Sequence, residues 1–332
     1  MRVWLHPGRV HRRNVFASLL VLLCFTLWGP QSVGSADSDL SITTQVSSTK
    51  STLMSIQFRT SRHGWAVGTG GTILKTIDGG KKWKRVTSGT AALLTSVFFA
   101  DPSKGWVTGA GGFLSHTTNG GKSWFPQALD TQQSLYGMYF ASPMVGWVVG
   151  GGGTILHTKD GGEQWVEQAS GTTASLYAAH FLNDQQGAIV GALGTVLSTD
   201  DGGATWRPQE TQNAVTLFDV FFTDATTGWA VGNAGALFQT TDGGAKWVDQ
   251  TLPCGKTCRK VIDLLKVRFT SQQEGWIVGE RGMLYRTTDG GLTWSEGKSI
   301  ASSSLFGLSF PDIAHGWASG ENGSIIHLDL GR

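Results

Sequence analysis

Residues 64–83 read GWAVGTGGTILKTIDGGKKW, and variants of this stretch recur along most of the 332-residue chain. Gly-Trp pairs, spaced mainly 41 residues apart, contain Trp65, Trp106, Trp147, Trp229, Trp276 and Trp317. Gly187-Ala188 occupies the position where one further pair is expected. A second motif, [DN]-G-G-x-x-W, begins at Asp78, Asn119, Asp160, Asp201, Asp242 and Asp289. A period of this length is typical of a propeller blade or of a helical repeat pair.

The composition within each repeat favours strands over helices. In the second repeat, the segments 94–99, 105–109, 113–117 and 123–126 are short and rich in apolar residues. Gly, Asn, Asp and Ser separate them, as expected for strands joined by turns. None of the segments is long enough for a helix of three turns. Four short strands per repeat predict the blade of an all-β propeller.

The number of blades follows from a third marker, a phenylalanine that ends each first segment. It occurs seven times, at Phe58, Phe99, Phe140, Phe181, Phe222, Phe269 and Phe310, which predicts seven four-stranded antiparallel blades. The [DN]-G-G-x-x-W motif occurs only six times, because the chain ends where a seventh is due. Ile42 lies 41 residues before Trp83, so segment 42–49 is predicted to supply the missing outer strand. The N-terminal strand would then complete the last blade and close the ring.

The repeat explains the excess of glycine (47 residues) and tryptophan (14 residues). The 12 tryptophans outside the first 36 residues all occupy periodic positions, which favours packing between blades over stacking on sugars or bases. We interpret the Asp-Gly-Gly turns as structural, with the Asp or Asn side chain accepting backbone N–H bonds, rather than as calcium sites. A zinc site is disfavoured because His116, His157 and His327 occupy equivalent positions on different repeats. No metal, cofactor or catalytic set is predicted.

The first 36 residues are predicted to be a signal peptide. Residues 1–14 carry four arginines and no carboxylate, residues 15–28 are apolar or small, and Gly34-Ser35-Ala36 offers a cleavage site. An uncleaved N-terminal anchor is the alternative, although fourteen residues are short for a membrane span. Arg12-Arg13 also fits a twin-arginine signal, so both that route and the Sec route remain open. The predicted organisation is a leader (1–36), a linker (37–41) and the propeller (42–332).

The net charge that would remain after removal of the leader argues against nucleic acid as a partner. The whole chain has a formal charge of +2, but all residues before Asp37 that carry charge are basic. Cleavage would leave 22 basic and 24 acidic residues, so no overall basic character remains to attract nucleic acid. The sequence therefore predicts an exported monomer without a membrane span after cleavage, located in a periplasm, a thylakoid lumen or the extracellular space.

These motifs resemble two families of propeller. The [ST]-x-[DN]-G-G-x-x-W turn is similar to the Asp-box of sialidases. The longer unit, from Gly64 through Trp83, resembles the photosystem II stability and assembly factor family, and this resemblance covers residues 40 to 332. It implies a seven-bladed, non-enzymatic factor that binds assembly intermediates of a membrane complex. It also implies a basic patch beside the G-x-x-G turns, which in this chain is matched in the sixth repeat by Arg281 and Arg286.

The sixth repeat also contains the one insertion, because the interval from Asp242 to Asp289 is 47 residues. The extra residues contain Cys254 and Cys258, which in an exported protein most simply form a disulfide. A metal would need more ligands than this loop holds, and a redox pair would normally be C-x-x-C. The candidate partner-binding residues around this sector are Lys256, Arg259, Lys260, Lys266, Arg268, Arg281 and Arg286. A solvated loop without a function is the alternative.

Two rival functions remain. A carbohydrate- or cell-surface-binding propeller is the stronger one. A sialidase-like glycoside hydrolase is the weaker one, because that chemistry needs an arginine cluster and a tyrosine nucleophile assisted by a carboxylate. The four tyrosines (Tyr136, Tyr139, Tyr177 and Tyr285) occupy repeat positions that packing explains. The sequence therefore predicts a protein-binding propeller involved in assembly or stabilisation of a membrane complex.

Overall fold

Each repeat folds into a four-stranded antiparallel sheet, and the computed structural model contains seven such sheets. It describes residues 40–209, 211, 213–251, 262–296 and 299–332. The first blade is formed by β2 (Leu53–Phe58), β3 (Gly64–Gly68), β4 (Thr72–Thr76) and β5 (Lys84–Val86). The second blade contains β6 (Leu94–Phe99), β7 (Gly105–Gly109), β8 (Leu114–Thr117) and β9 (Phe125–Gln127). The third contains β10 (Leu135–Phe140), β11 (Gly146–Gly150), β12 (Ile155–Thr158) and β13 (Val166–Glu167). The fourth contains β14 (Leu176–Phe181), β15 (Gly187–Gly191), β16 (Val196–Thr199) and β17 (Arg207–Pro208). The fifth and sixth are β18 (Leu217–Phe222), β19 (Gly228–Gly232), β20 (Leu237–Thr240), β21 (Val248–Asp249); and β22 (Leu264–Phe269), β23 (Gly275–Gly279), β24 (Leu284–Thr287), β25 (Ser295–Glu296).

The seventh blade is completed by the N-terminal strand, as predicted. Its strand order is β1–β28–β27–β26, with β26 (Leu305–Ser309), β27 (His315–Gly320), β28 (Ile325–Asp329) and β1 (Ser41–Gln45). The register runs from Ser41 opposite Asp329 to Gln45 opposite Ile325. Both ends of the propeller chain therefore contribute to one sheet, and ring closure leaves the blades without a long unpaired inner edge.

The strand order gives the propeller two faces. We define the upper face as the one that contains the short 3₁₀ turn between the second and third strands of each blade. The loops that connect one blade to the next lie on the same face. These turns are Thr69–Gly71, Ala110–Gly112, Gly151–Gly153, Ala192–Gly194, Asn233–Gly235, Glu280–Gly282 and Glu321–Gly323. Their last glycine cannot be replaced: Gly71 has a φ of +64°, and an added Cβ would lie 1.8 Å from the Thr90 carbonyl oxygen. The lower face contains the first-to-second strand turns and the Asp-Gly-Gly turns.

Aromatic side chains hold neighbouring blades together. Phe99 stacks on Trp65 of the preceding blade, with ring centroids 3.7 Å apart, and meets Trp124 of its own blade edge-on at 5.8 Å. The stacked pair recurs at Trp106–Phe140, Trp147–Phe181, Trp229–Phe269, Trp276–Phe310 and Trp317–Phe58, at 3.4 to 5.7 Å. Each such pair contributes about 0.5–1.5 kcal/mol beyond the burial of apolar area. Both periodic tryptophans thus belong to the scaffold, and the Trp317–Phe58 pair lies at the ring closure.

Within the described residues, no helix has the length and apolar character needed to cross a membrane.

Candidate functional site

Of the seven candidate basic residues, the structure shows four, and they occupy three different places. Lys256, Arg259 and Lys260, like the cysteines Cys254 and Cys258, lie outside the described residues. Arg281 is exposed on the upper face, in the middle of the 3₁₀ turn of blade 6. It adopts a left-handed backbone conformation with a φ of +57°, and its carbonyl oxygen accepts a hydrogen bond from Ser299 Oγ at 2.7 Å. A non-glycine residue in this region is uncommon.

Lys266 and Arg268 lie on β22 and line the axial channel instead of the upper face. Both bind Asp219 of the preceding blade: Lys266 Nζ lies 3.0 Å from Oδ1 and Arg268 Nη1 lies 2.5 Å from Oδ2. The backbone N–H of Val267 also donates to Asp219 Oδ2 at 3.1 Å. Burial disfavours the charged form of Asp219, but Arg268 and Lys266 outweigh it and lower the pKa of this carboxyl. The three side chains form a cluster with one negative and two positive charges.

Arg286 lies five residues after Arg281 and points to a separate, buried ion pair. Its Nη2 lies 2.6 Å from Glu274 Oε1, and Arg332 Nη1 approaches Glu274 Oε2 at 2.6 Å. The guanidinium of Arg286 also covers the ring of Trp276, with 4.8 Å from Cζ to the centroid. Glu274 is 5% exposed, so these contacts satisfy a carboxylate that would otherwise be costly to bury. Among the described candidates, only Arg281 remains exposed on the upper face.

The axial channel has a cavity of about 390 Å³ lined by the first strands of all seven blades. One side of the wall is aromatic: successive centroid distances from Phe98 to Tyr139, His180 and Phe221 are 5.9, 4.8 and 4.8 Å. The Arg268 guanidinium ends this arc, with Cζ 5.8 Å from the Phe221 centroid. Nearer the upper face, Tyr136 and Tyr177 approach to 5.3 Å.

The opposite side of the channel is polar, and its side chains join the blades. Gln57 Oε1 accepts the backbone N–H of Phe99 at 2.5 Å, and Ser309 Oγ accepts that of Phe58 at 2.9 Å. These bonds connect the first strand of one blade to that of its neighbour, as Asp219 does with Val267. Many polar residues of the channel are therefore structural, and this use accounts for their burial.

Two titratable groups of the aromatic arc are held neutral. Burial, assisted by the nearby charge of Arg268, lowers the pKa of His180 to about 3. Burial raises the pKa of the Tyr139 phenol, with Arg268 opposing this change. At neutral pH the arc therefore presents uncharged rings beside the cationic edge of the Asp219 cluster.

Sequence reasoning missed this channel because it interpreted the tyrosines and basic residues by their repeat positions alone. The second, third and fifth residues of each first strand face the axis, and these positions differ between blades. The third position, for example, holds Ser55, Gly137, Asp219 and Lys266 in different repeats. Such variation at an otherwise periodic position was the feature of the sequence that could have indicated the channel.

The six Asp-Gly-Gly turns share one hydrogen-bond pattern, in which the preceding threonine and the Asp or Asn side chain organise the hairpin. Thr76 Oγ1 donates to Asp78 Oδ1 at 2.9 Å, and the backbone N–H of Lys82 donates to the same oxygen at 3.0 Å. Asn119 makes equivalent bonds with its amide oxygen. The Lys82 N–H bond is the main cause of the lowered pKa of Asp78. The residues that occupy this position are Asp78, Asn119, Asp160, Asp201, Asp242 and Asp289.

Two of the three periodic histidines stack on scaffold tryptophans, and the ring of His116 lies 6.0 Å from that of Phe125. His157 stacks on Trp147 at 4.8 Å and His327 on Trp317 at 4.6 Å. In the part of the chain that the structure describes, no group of three or more His, Cys, Asp or Glu side chains could hold a metal ion.

The fold is similar to that of several solved propellers. A structure of YCF48 bound to D1 peptide has a TM-score of 0.72 and 22% identity, covering 87% of this chain and 94% of that one. YCF48 from Cyanidioschyzon merolae has a TM-score of 0.74 and 22% identity, covering 88% and 100%. Virginiamycin B lyase from Staphylococcus aureus has a TM-score of 0.74 at 14% identity, covering 87% and 98%. At these identities the similarity establishes the fold alone.

Comparison with curated protein sequences gave no match. The family model described as photosynthesis system II assembly factor YCF48 matches residues 38–132, 124–207 and 204–301. These segments are continuous over most of the propeller, and they contain five of the six Gly-Trp pairs and all six [DN]-G-G-x-x-W motifs. The chain therefore belongs to the YCF48 family of photosynthesis system II assembly factors.

Proposed function

We propose that this protein is an exported, non-enzymatic assembly factor that binds a segment of a membrane-complex subunit. The observation that carries the proposal is its membership of the YCF48 family across residues 38–301. A structurally similar YCF48 is bound to a D1 peptide, which is the kind of ligand that we infer for this chain. The closed ring supports this role, because a rigid scaffold can present its loops and channel without reorganisation on binding.

Two regions could take part in binding. On the upper face, we propose that exposed Arg281 acts with Lys256, Arg259 and Lys260 of the insertion, which a Cys254–Cys258 disulfide would constrain. In the channel, Lys266 and Arg268 present cationic edges beside an aromatic wall. Arg286 is different, because its contacts with Glu274 and Trp276 assign it to the scaffold of blade 6. Cationic and aromatic surfaces of this kind suit an acidic peptide segment or a chain terminus.

The chemistry of the channel supports a non-enzymatic role. A sialidase-type mechanism needs a tyrosine activated by a free carboxylate. Asp219 is the carboxylate among the described channel-lining residues, and both its oxygens are bound by Lys266, Arg268 and the Val267 N–H. The raised pKa of Tyr139 also keeps its phenol protonated and poorly nucleophilic. Hydrolysis of a 4-methylumbelliferyl sialoside at a rate above that of an Asp219→Asn variant would contradict this role.

Carbohydrate binding is the second candidate function. It is favoured by one observation, the tyrosines Tyr136, Tyr139 and Tyr177 that line the channel. Stacking of sugars on aromatic rings is a common mode of recognition, and it would require no catalytic group. A glycan array tests it directly: binding abolished by Tyr139→Leu would support this function over peptide binding.

Export is proposed from the sequence of residues 1–36, which lie outside the described residues. Mass spectrometry of the protein recovered from its native host should show a mature N-terminus at Asp37. A full-length N-terminus in the cytoplasmic fraction would contradict the proposal. Replacing Arg12 and Arg13 by lysines distinguishes the routes, because only twin-arginine export should be blocked.

The capture experiment uses the tagged full-length protein and detergent-solubilised membranes of its host. We expect a subunit of a membrane complex to copurify, at a yield reduced at least tenfold by the triple variant Arg259→Glu/Lys260→Glu/Arg281→Glu. Arg62→Glu is the matched control, because Arg62 is an exposed arginine on the lower face of blade 1. Equal capture by the triple variant would exclude the upper-face site, and absence of any membrane subunit would contradict the assembly function.

A further inference from the structure

The interface between blades 4 and 5 lacks two side chains that the other interfaces contain. Ala188 occupies the position of the stacking tryptophan, and Ser198 lies opposite it in the register. In blade 3 the equivalent pair is Trp147 opposite His157, whose ring covers the indole. The residues at the Ser198 position elsewhere are Lys75, His116, His157, Gln239, Arg286 and His327. Both the aromatic ring and its cover are therefore reduced to small side chains at this one interface.

A cavity of about 270 Å³ lies beside this position, lined by Ser198, which is opposite Ala188 in the register, and by Phe222, whose equivalents stack on tryptophan at the other interfaces. Phe222, Leu182 and Ser198 are among the residues that line it, together with Gly243 from the Asp-Gly-Gly turn of blade 5. We call this cavity the blade 4–5 slot.

The neighbouring glycines support the assignment of the slot to the position of the absent tryptophan. A Cβ placed on Gly162 would lie 2.4 Å from the indole Nε1 of Trp106. The equivalent position in blade 5 is Gly244, where a Cβ would meet nothing nearer than the Phe222 ring at 3.5 Å. The space that an indole fills beside Gly121, Gly162 and Gly291 is thus open beside Gly244. Leu182 occupies a part of it, because it packs against the cluster that contains Phe222.

The slot provides both an apolar wall and polar groups at its rim. Phe222 and Leu182 form the apolar part, as Phe181 does for Trp147 in the preceding interface. Around the rim, Arg207 and Asp200 form an exposed ion pair at 2.8 Å, and Gln209 Nε2 donates to Ser198 Oγ at 2.7 Å. An acceptor for an indole N–H is also present. Trp65 Nε1 donates to the Gly120 carbonyl oxygen, and the corresponding carbonyl in the slot belongs to Gly243.

We propose that the blade 4–5 slot binds an aromatic side chain, tryptophan or tyrosine, presented by the protein partner. The slot then acts as an anchoring pocket in which the partner supplies the ring that this chain lacks. Its volume is below the usual range of pockets for drug-sized ligands, about 300–1,000 Å³, and it suits a single side chain. Large aromatic anchors in desolvated pockets dominate many protein interfaces. This inference rests on the proposed function only for the identity of the partner, since binding of the ring can be measured separately.

The first test measures binding of N-acetyl-tryptophanamide to the full-length protein by NMR chemical-shift perturbation. We expect saturable binding with a Kd on the order of 0.1–1 mM, as befits one small group, and much weaker binding of N-acetyl-leucinamide. The double variant Ala188→Trp/Leu182→Ala reproduces the Trp147 and Ala141 arrangement of blade 3 and fills the slot from within. It should remain folded and weaken binding at least tenfold. Leu193→Trp is the control, because it adds a tryptophan at an exposed turn and should leave binding unchanged.

The second test repeats membrane capture with the double variant, for which we expect a yield at least fivefold lower than for the wild type. Absence of saturable N-acetyl-tryptophanamide binding up to about 10 mM, or equal binding by the double variant, would overturn the proposal that the slot binds an aromatic side chain. Unchanged capture by the double variant would overturn its role in partner binding. If the wild type captures no subunit while the amide still binds at the slot, the proposed assembly function fails and the binding pocket stands.

Discussion

The contribution of the inter-blade tryptophan can be measured with one matched pair of substitutions, Phe181→Ala and Phe222→Ala. Both phenylalanines end a first strand and are buried, at 1% and 5% exposure. Phe181 has two tryptophan neighbours, the stacked Trp147 at 3.4 Å and the edge-on Trp206 at 6.0 Å. Phe222 has one tryptophan neighbour, the edge-on Trp247 at 5.9 Å, because Ala188 replaces the stacking tryptophan, and its other ring contact is with His180 at 6.1 Å.

The magnitudes follow from these contacts. Truncation of a buried phenylalanine costs about 3–5 kcal/mol in free energy of unfolding. One stacked aromatic pair adds about 0.5–1.5 kcal/mol, so Phe181→Ala should cost about 1 kcal/mol more than Phe222→Ala. The cavity beside Phe222 increases this difference, because Phe222 has fewer packing contacts to lose on truncation. For a domain of about 290 residues the difference corresponds to about 1.5–2 °C in Tm.

The assay is thermal and urea unfolding followed by circular dichroism at two wavelengths, to check that the transitions coincide. Phe181→Ala should have the lower Tm and the lower urea midpoint. If Phe222→Ala is destabilised as much as Phe181→Ala, or more, then the stacked tryptophan does not provide the inter-blade stability that we assign to it.

Three further predictions concern charged and titratable groups. His180 has a pKa of about 3 in the folded protein, so the stability of its neutral form is fully present above about pH 6.5 and is lost as the pH falls towards 3. His180→Phe, which copies Phe221 of the next blade, should reduce the loss of Tm between pH 7 and pH 4; an unchanged profile would contradict the assignment. Hydrogen bonds from Thr205 lower the pKa of Asp201 to about 2, so its contribution is present above about pH 4 and is lost as the pH falls through 2. Asp201→Asn, with the amide that Asn119 already uses, should flatten the Tm profile in that window and leave Tm at pH 7 nearly unchanged. Asp219→Ala leaves Lys266 and Arg268 without their counter-ion and should cost about 3 kcal/mol in urea unfolding, part of which Asp219→Ala/Lys266→Met should recover.

The architecture was predictable from sequence because the packing requirement is the same in every blade. The same contacts are needed in each blade, so the residues that make them recur with the period. Trp65 and Phe99 stack between neighbouring blades, and Asp78 organises the turn before the outer strand. Segment 42–49 was identified in the same way, and β1 pairs with β28 as expected. The prediction began at Ile42, whereas the strand begins at Ser41 and ends at Gln45.

The candidate site was harder to predict because its residues interact across blades without any fixed spacing. Lys266 and Arg268 were grouped with Arg281 by their closeness in sequence. Strand alternation directs the first two towards the axis, where the partner that holds them, Asp219, comes from another repeat. Arg286 likewise pairs with Glu274, a turn residue that belongs to no motif. The replacement of the periodic tryptophan by Ala188 was visible in the sequence. The cavity also depends on Ser198 and on where Phe222 and Gly243 of blade 5 lie, which the sequence does not give.

The most direct test of the central claim is a calorimetric titration of the full-length protein with a synthetic D1 peptide of the type bound by YCF48. A scrambled peptide of the same composition is the control. We predict saturable binding with a Kd in the micromolar range and at least tenfold weaker binding of the scrambled peptide. Equal affinity for both peptides, or no heat of binding at peptide concentrations of about 1 mM, would contradict the account of this protein as a peptide-binding assembly factor.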